Sequence, residues 1–151
     1  MRSVFDAVRV LTAIRPHTRT GTGTPAAVNV IAVDTFGYNS ALFDVVTGTP
    51  TGTAVTYVVS IKLQECTTSG GTYADITGAI GTMTGTTTTG YLRAQIRLEN
   101  LGTPRARYIK VYALVTMTAN DGQVLPIAAQ AVLGHGYKVP VANAAASSTS
   151  S

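Results

Sequence analysis

Along residues 55–66 (VTYVVSIKLQEC) apolar and polar positions alternate. Val55, Tyr57, Val59, Ile61 and Leu63 fall on one side, and Thr56, Ser60, Lys62 and Gln64 on the other. A period of two is that of a half-buried β-strand, and the β-branched and aromatic content suits a pleated surface. The Ser69-Gly70-Gly71 run behind it supplies a turn. The same period predicts a strand over 107–118, with Ile109, Val111, Ala113, Val115 and Met117 facing a core. It predicts another over 91–98, with Leu92, Ala94, Ile96 and Leu98 inward and Arg93, Gln95 and Arg97 outward. Residues 40–46 repeat it through Ala41, Phe43 and Val45. Residues 28–33 (VNVIAV) read as a further strand, followed by a turn in which Gly37 and Asn39 tolerate positive φ.

Other stretches decide less. Val4, Val8, Leu11 and Ile14 satisfy helical spacing while Val8 and Val10 alternate, which leaves 4–14 open between a short strand and one or two helical turns. Pro16 and the TGTGTP run at 20–25 are expected to interrupt any regular element. A short strand is expected at 73–76, and threonine-rich 83–89 fits either a strand or an exposed loop. Asn120-Asp121-Gly122 signals a tight hairpin that would return 124–133 beside 107–118, with Pro126 pointing to an edge or an irregular start. Roughly seven to nine short strands with turn signals between them, and no internal helix, predict an antiparallel sandwich or barrel.

A chain of 151 residues is long enough for one domain with its own core, since such a domain buries roughly 68–70% of its unfolded surface. One cysteine, Cys66, excludes an internal disulfide and a cysteine metal cluster, so packing alone must hold the fold. Charged residues are 12% of the chain, against about 25% in typical soluble domains, which fits a surface partly covered by other protein. No run approaches the ~20 apolar residues of a membrane-spanning helix. Asp6 and Arg9 stand where a secretion signal would have its apolar stretch, which points to a cytoplasmic origin. The net charge of +4 is concentrated at the start, where Arg2, Arg9, Arg15 and Arg19 face Asp6 alone. The chain is therefore divided into an N-terminal arm (1–27), a β-sandwich of about eight strands (28–137) and an extended, Ala/Ser-rich C-terminal tail (138–151).

Candidate chemistry is sparse. His17 and His135 carry no local motif, and the seven carboxylates are scattered singly across arm, turns and strands. The glycine-threonine run at 20–25 lacks the Gly-Lys-Ser/Thr ending of a phosphate loop. No catalytic residue, cofactor or metal is expected. Tyr91, Arg93 and Arg97 share an outward face, and Arg105, Arg107, Tyr108, Lys110 and Tyr112 would extend it if the two strands were neighbours. Interleaved aromatic and basic side chains can hold single-stranded nucleic acid, but the basic excess outside the arm is too small for a phosphate-tracking stripe. The face is read as solvated or as a protein contact.

Residues 34–48 (DTFGYNSALFDVVTG) and 59–79 (VSIKLQECTTSGGTYADITGA) resemble a pattern in small virion proteins of tailed bacteriophages. There an Asp-x-x-Gly-aromatic turn leads into an apolar strand, and a KLQES-like strand end precedes a Gly/Ser turn and a Thr-Tyr strand. The pattern is most similar to capsid decoration, or cement, proteins, and Cys66 stands where it has serine. The resemblance implies a jelly-roll fold and a place on the outer capsid surface, after synthesis in the host cytoplasm. It also implies the major capsid protein and further copies of the chain, as dimer or trimer, for partners. In that setting Arg2, Val4, Phe5, Arg9, Leu11, Arg15 and Arg19 would dock on the capsid, and removing the residues before Thr20 would leave the sandwich folded. A tail or head-fibre component that binds a partner or a host glycan is the alternative.

Overall fold

The alternation at 55–66 becomes strand β5 (Thr56–Cys66), whose Tyr57, Val59, Ile61 and Leu63 are each at most 2% exposed. The protein is seen here as a computed structural model that describes residues 8–20, 26–28, 30–52, 55–99, 101, 105–118 and 123–134. The other strands are β1 (Val8–Thr20), β2 (Ala26–Ala27), β3 (Val33–Asp34), β4 (Ser40–Thr47), β6 (Ala74–Thr86), β7 (Leu92–Glu99), β8 (Tyr108–Met117) and β9 (Val124–Gly134). Among the described residues there is no helix.

Pairing is antiparallel and nested: β1 with β9, β2 and β3 with β8, β4 with β7, β5 with β6. The chain is in effect one long hairpin. Rolled up, it brings β4 against β9 and β5 against β8, which yields the sheets β1-β9-β4-β7 and β2-β8-β5-β6, with β3 also on β8. This wrapping is the jelly-roll form of the β-sandwich, so the all-β sandwich expected from the alternation is the one observed. Phe43 and Val45 of β4 and Leu125 and Leu133 of β9 meet Tyr57, Leu63, Ile109 and Val111 of the facing sheet, all fully buried. Burying each such side chain contributes roughly 1.5–3 kcal/mol. Tyr57 keeps its polar tip satisfied by a 3.3 Å hydrogen bond between its Oη and Thr47 Oγ1. Gly85 makes room for that ring, because a Cβ there would lie 2.6 Å from Tyr57 Cζ and Oη.

Several expectations are corrected. Residues 8–20, placed in an arm, form a 13-residue edge strand paired along β9, with Ala13 and Ile14 wholly buried. Pro16 does not end the strand, because it sits where the register shifts between Ile14 and His17 and the ladder asks for no N–H. The expected strand at 28–33 is reduced to an isolated bridge at Val30 and the two residues of β3. Residues 74–86 form one long strand in place of the two pieces anticipated. Most consequentially, β8 and β9 do not pair: the chain crosses from one sheet to the other between them. Pro126 accordingly lies in an interior strand, near its start, where its carbonyl accepts from Gly48 N–H at 2.9 Å just beyond the end of β4. The missing N–H removes only the last rung of that ladder.

Candidate interaction surfaces

Opposed residues in an antiparallel pair share a face, which locates the β1 side chains. Arg9, Leu11 and Arg19 stand opposite Leu133, Ala131 and Leu125, whose side chains are core-facing, so they occupy the inner side of an edge strand at the rim between the sheets. Leu11 is half-buried and packs on the core, whereas Arg9 is exposed. Arg15 lies exposed in the irregular stretch before His17, whose Nδ1 bonds the Arg15 carbonyl at 2.9 Å. Val8, Val10 and Thr12 take the outer side of the same strand, and Val10 is 59% exposed. Arg2, Val4 and Phe5 lie outside the described residues, as do His135 and the 138–151 tail.

Ion pairing sets β1 apart. The described carboxylates are all engaged: Asp34 with Arg107, Asp44 with Arg93, Glu65 with Arg105, Asp75 with Lys62 and Glu99 with Arg97. Lys110 rests 4.0 Å over the Tyr73 ring. Arg9, Arg15 and Arg19 have no ion-pair partner among the described residues, although the charge of Arg9 reaches Asp34 across the rim. Arg107, hydrogen-bonded to Asp34, holds that carboxyl below the ordinary carboxylate range. The reciprocal bonds raise the guanidinium of Arg107 above its ordinary value, as those to Asp44 raise Arg93.

At the other margin of the same sheet, Tyr91 precedes β7 and is 75% exposed. Arg93 is committed to the buried Asp44 through a bidentate contact, Nε at 2.6 Å and Nη2 at 2.8 Å. Arg97 pairs with Glu99. Tyr108, Lys110 and Tyr112 lie on β8 of the opposite sheet, with Arg105 and Arg107 just before it, so the combined aromatic-basic face considered from sequence is not assembled. Instead β8 and β6 flank β5 on its two sides, where Lys62 of β5 sits 4.9 Å over Tyr112 and bonds Asp75 at 2.7 Å. Sequence reasoning missed this face because its members come from three strands whose adjacency is purely tertiary.

Shallow grooves score the surface formed by the described residues. One, of about 610 Å³, runs between Pro16, His17, Val46, Pro126 and Tyr91. Another, of about 430 Å³, is lined by Ser60, Lys62, Ile80, Thr82, Tyr112 and Leu114. Cys66 is half-exposed at the end of β5, and hydrogen bonding from Thr68 lowers its thiol below the ordinary value. Among the described residues no group of three or more His, Cys, Asp or Glu side chains is placed to hold a metal ion. No described helix is long and apolar enough to cross a membrane.

The topology defines the class of this chain: an all-β jelly-roll domain. No protein-family model matches it and no curated protein matches it. Among solved structures it is similar to the protein of T=1 particles derived from infectious bursal virus, at 15% identity and a TM-score of 0.47, over 88% of this chain and 32% of that one. It is also similar to a pilus-forming endospore appendage of Bacillus, at 13% identity and 0.38, over 85% and 88%. A third is the C-terminal family 22 carbohydrate-binding module of Clostridium thermocellum Xyn10B, at 17% identity and 0.36, over 90% of each. The chain spans about a third of the bursal virus chains it matches. These are likenesses of fold.

Proposed function

We propose that this chain is a structural virion protein that binds the outer surface of a phage capsid and ties neighbouring capsomers together. The observation that carries the reading is the charge state of β1: Arg9, Arg15 and Arg19 lack ion-pair partners among the described residues while each described carboxylate has one. A rim with surplus cations, beside the exposed Val8 and Val10, suits a partner that is acidic and partly apolar. The resemblance of residues 34–48 and 59–79 to capsid decoration proteins supplies the identity of that partner, the major capsid protein. Repetition around a symmetric shell then turns modest single contacts into firm attachment.

The structure changes how this is tested. Deleting everything before Thr20 would remove β1 with its buried Ala13 and Ile14, and loss of binding would then report only unfolding. The suitable variant is Arg9→Glu/Arg15→Glu/Arg19→Glu, offered to capsids of the source particle stripped of this chain. Occupancy is expected to fall at least about tenfold at physiological salt, with the Lys triple variant retaining binding and circular dichroism unchanged. Unaltered occupancy for the Glu variant refutes the reading. The exposed Tyr91 ring beside the 610 Å³ groove favours the second reading, a tail or fibre component that stacks a sugar there. A few copies per particle, in place of a number near that of the capsid subunit, would select it.

A further inference from the structure

The four lateral edges of the sandwich are unequally protected. β1 carries arginines and Pro16, and at Ile14 it is bridged to Val30. β7 presents Arg93, Arg97 and Glu99, while β2 and β3 have two residues each. Charge, proline and shortness are the usual means of keeping an edge from pairing. β6 has none of them along residues 78–86: it is the long edge of its sheet, pairs only with β5, and carries neither charge nor proline there.

Which groups that edge offers follows from alternation of the ladder. Thr87 N–H donates to Val55 O at 3.1 Å, and on the other side of β5 Thr118 N–H donates to Thr56 O at 2.9 Å. Residues 81, 83 and 85 therefore bond β5, and the N–H and C=O groups of Ile80, Thr82 and Thr84 point away from the sheet. The run is closed at both ends. Gly78 departs from extended backbone at φ 79°, and Thr86 spends both its backbone groups on Thr89, at 3.1 and 3.0 Å.

We propose that two copies of this chain join through β6, antiparallel, about a two-fold axis at Thr82. In that register Thr82 faces Thr82 of the second copy, and Ile80 faces its Thr84, each pair exchanging both backbone hydrogen bonds. Shifting the axis to Ile80 sets Thr82 against the left-handed Gly78, and shifting it to Thr84 sets Thr82 against the closed Thr86. The Thr82 register alone uses every free group. On the inner side it places Met83 opposite Gly81, so the bulkiest side chain of the stretch meets the residue with none. The exposed Ile80, 71% accessible, gains cover from a β-branched neighbour, a favourable cross-strand pairing. The occupant is a second copy because the stretch is self-complementary and has no charge with which to select anything else. The pairing is independent of the capsid reading, since β6 and β1 lie at opposite margins of the sandwich.

The test is register-specific disulfide trapping in the full chain carrying Cys66→Ser. Directly opposed hydrogen-bonded residues have Cα atoms about 5.5 Å apart, within reach of a disulfide. Thr82→Cys is expected to form a linked dimer on oxidation and Ile80→Cys to stay unlinked by itself. Ile80→Cys mixed with Thr84→Cys is expected to link. In sedimentation equilibrium the natural chain is expected to be dimeric, and Thr82→Lys, which opposes two like charges, to weaken association at least about tenfold with an unchanged far-ultraviolet circular dichroism spectrum. A natural chain that stays monomeric at tens of micromolar overturns the proposal. So does linkage of Ile80→Cys as readily as Thr82→Cys, or a Thr82→Lys chain that associates normally.

Discussion

If β1 is an integral strand, a truncation inside it must be felt by the whole sandwich. Ile14 is the position to test, because it is fully buried, sits opposite Ala129, and lies in the stretch where the register shifts. Ile14→Ala removes three carbons from the core. At ~0.8 kcal/mol per buried methylene the transfer loss is about 2.4 kcal/mol, and the cavity left behind brings the total to about 3 kcal/mol. For a domain of this size that lowers Tm by roughly 6–12 °C. Urea unfolding followed by circular dichroism would read it as a lower midpoint at unchanged slope. Arg15→Glu, one residue along but exposed, is the internal control and is expected to change stability by no more than about 0.5 kcal/mol. An Ile14→Ala chain as stable as the control would mean that β1 does not belong to the core, and would restore the picture of a detachable arm.

Two further outcomes follow from the packing and the ion pairs. Gly85→Ala places a Cβ 2.6 Å from the Tyr57 ring and is expected to cost about 1–3 kcal/mol in the same urea assay. A chain unaffected by it would show that the ring has room to move. Asp34 is held below its ordinary value in the fold by Arg107, so its contribution to stability is present above the unfolded value and is lost as pH falls through the folded one. Asp34→Asn is therefore expected to be less stable than the natural chain at neutral pH and to converge with it in acid. A difference that persists undiminished at the acid end would contradict that assignment.

Legibility tracked how local the physics was. The faces of β4, β5, β7 and β8 could be read directly, because each strand has one buried side and a one-residue slip would expose it; Tyr57, Val59, Ile61 and Leu63 show this most plainly. β6 was obscured by its composition. Glycine and threonine leave Ile76, Ala79 and Met83 too far apart to display a period, and the register shift opposite 62–64 breaks the phase. β1 was obscured in the same way, by two shifts that change which side of the strand faces inward.

The sequence by itself determined an all-β sandwich: alternation specifies strands with one buried side, and such strands must cover one another in layers. It also determined that the N-terminal stretch is basic and that carboxylates are few. Only the tertiary structure decided which strands are neighbours. The Asn-Asp-Gly run at 120–122, which lies outside the described residues, was a local signal for pairing β8 with β9, yet the rolled hairpin sends them to different sheets, because each satisfies its backbone groups with partners far away in the chain. The same nonlocal choice engaged Arg93 and Arg107 in ion pairs, left Arg9, Arg15 and Arg19 without ion-pair partners among the described residues, and turned the free groups of Ile80, Thr82 and Thr84 outward along an unguarded edge.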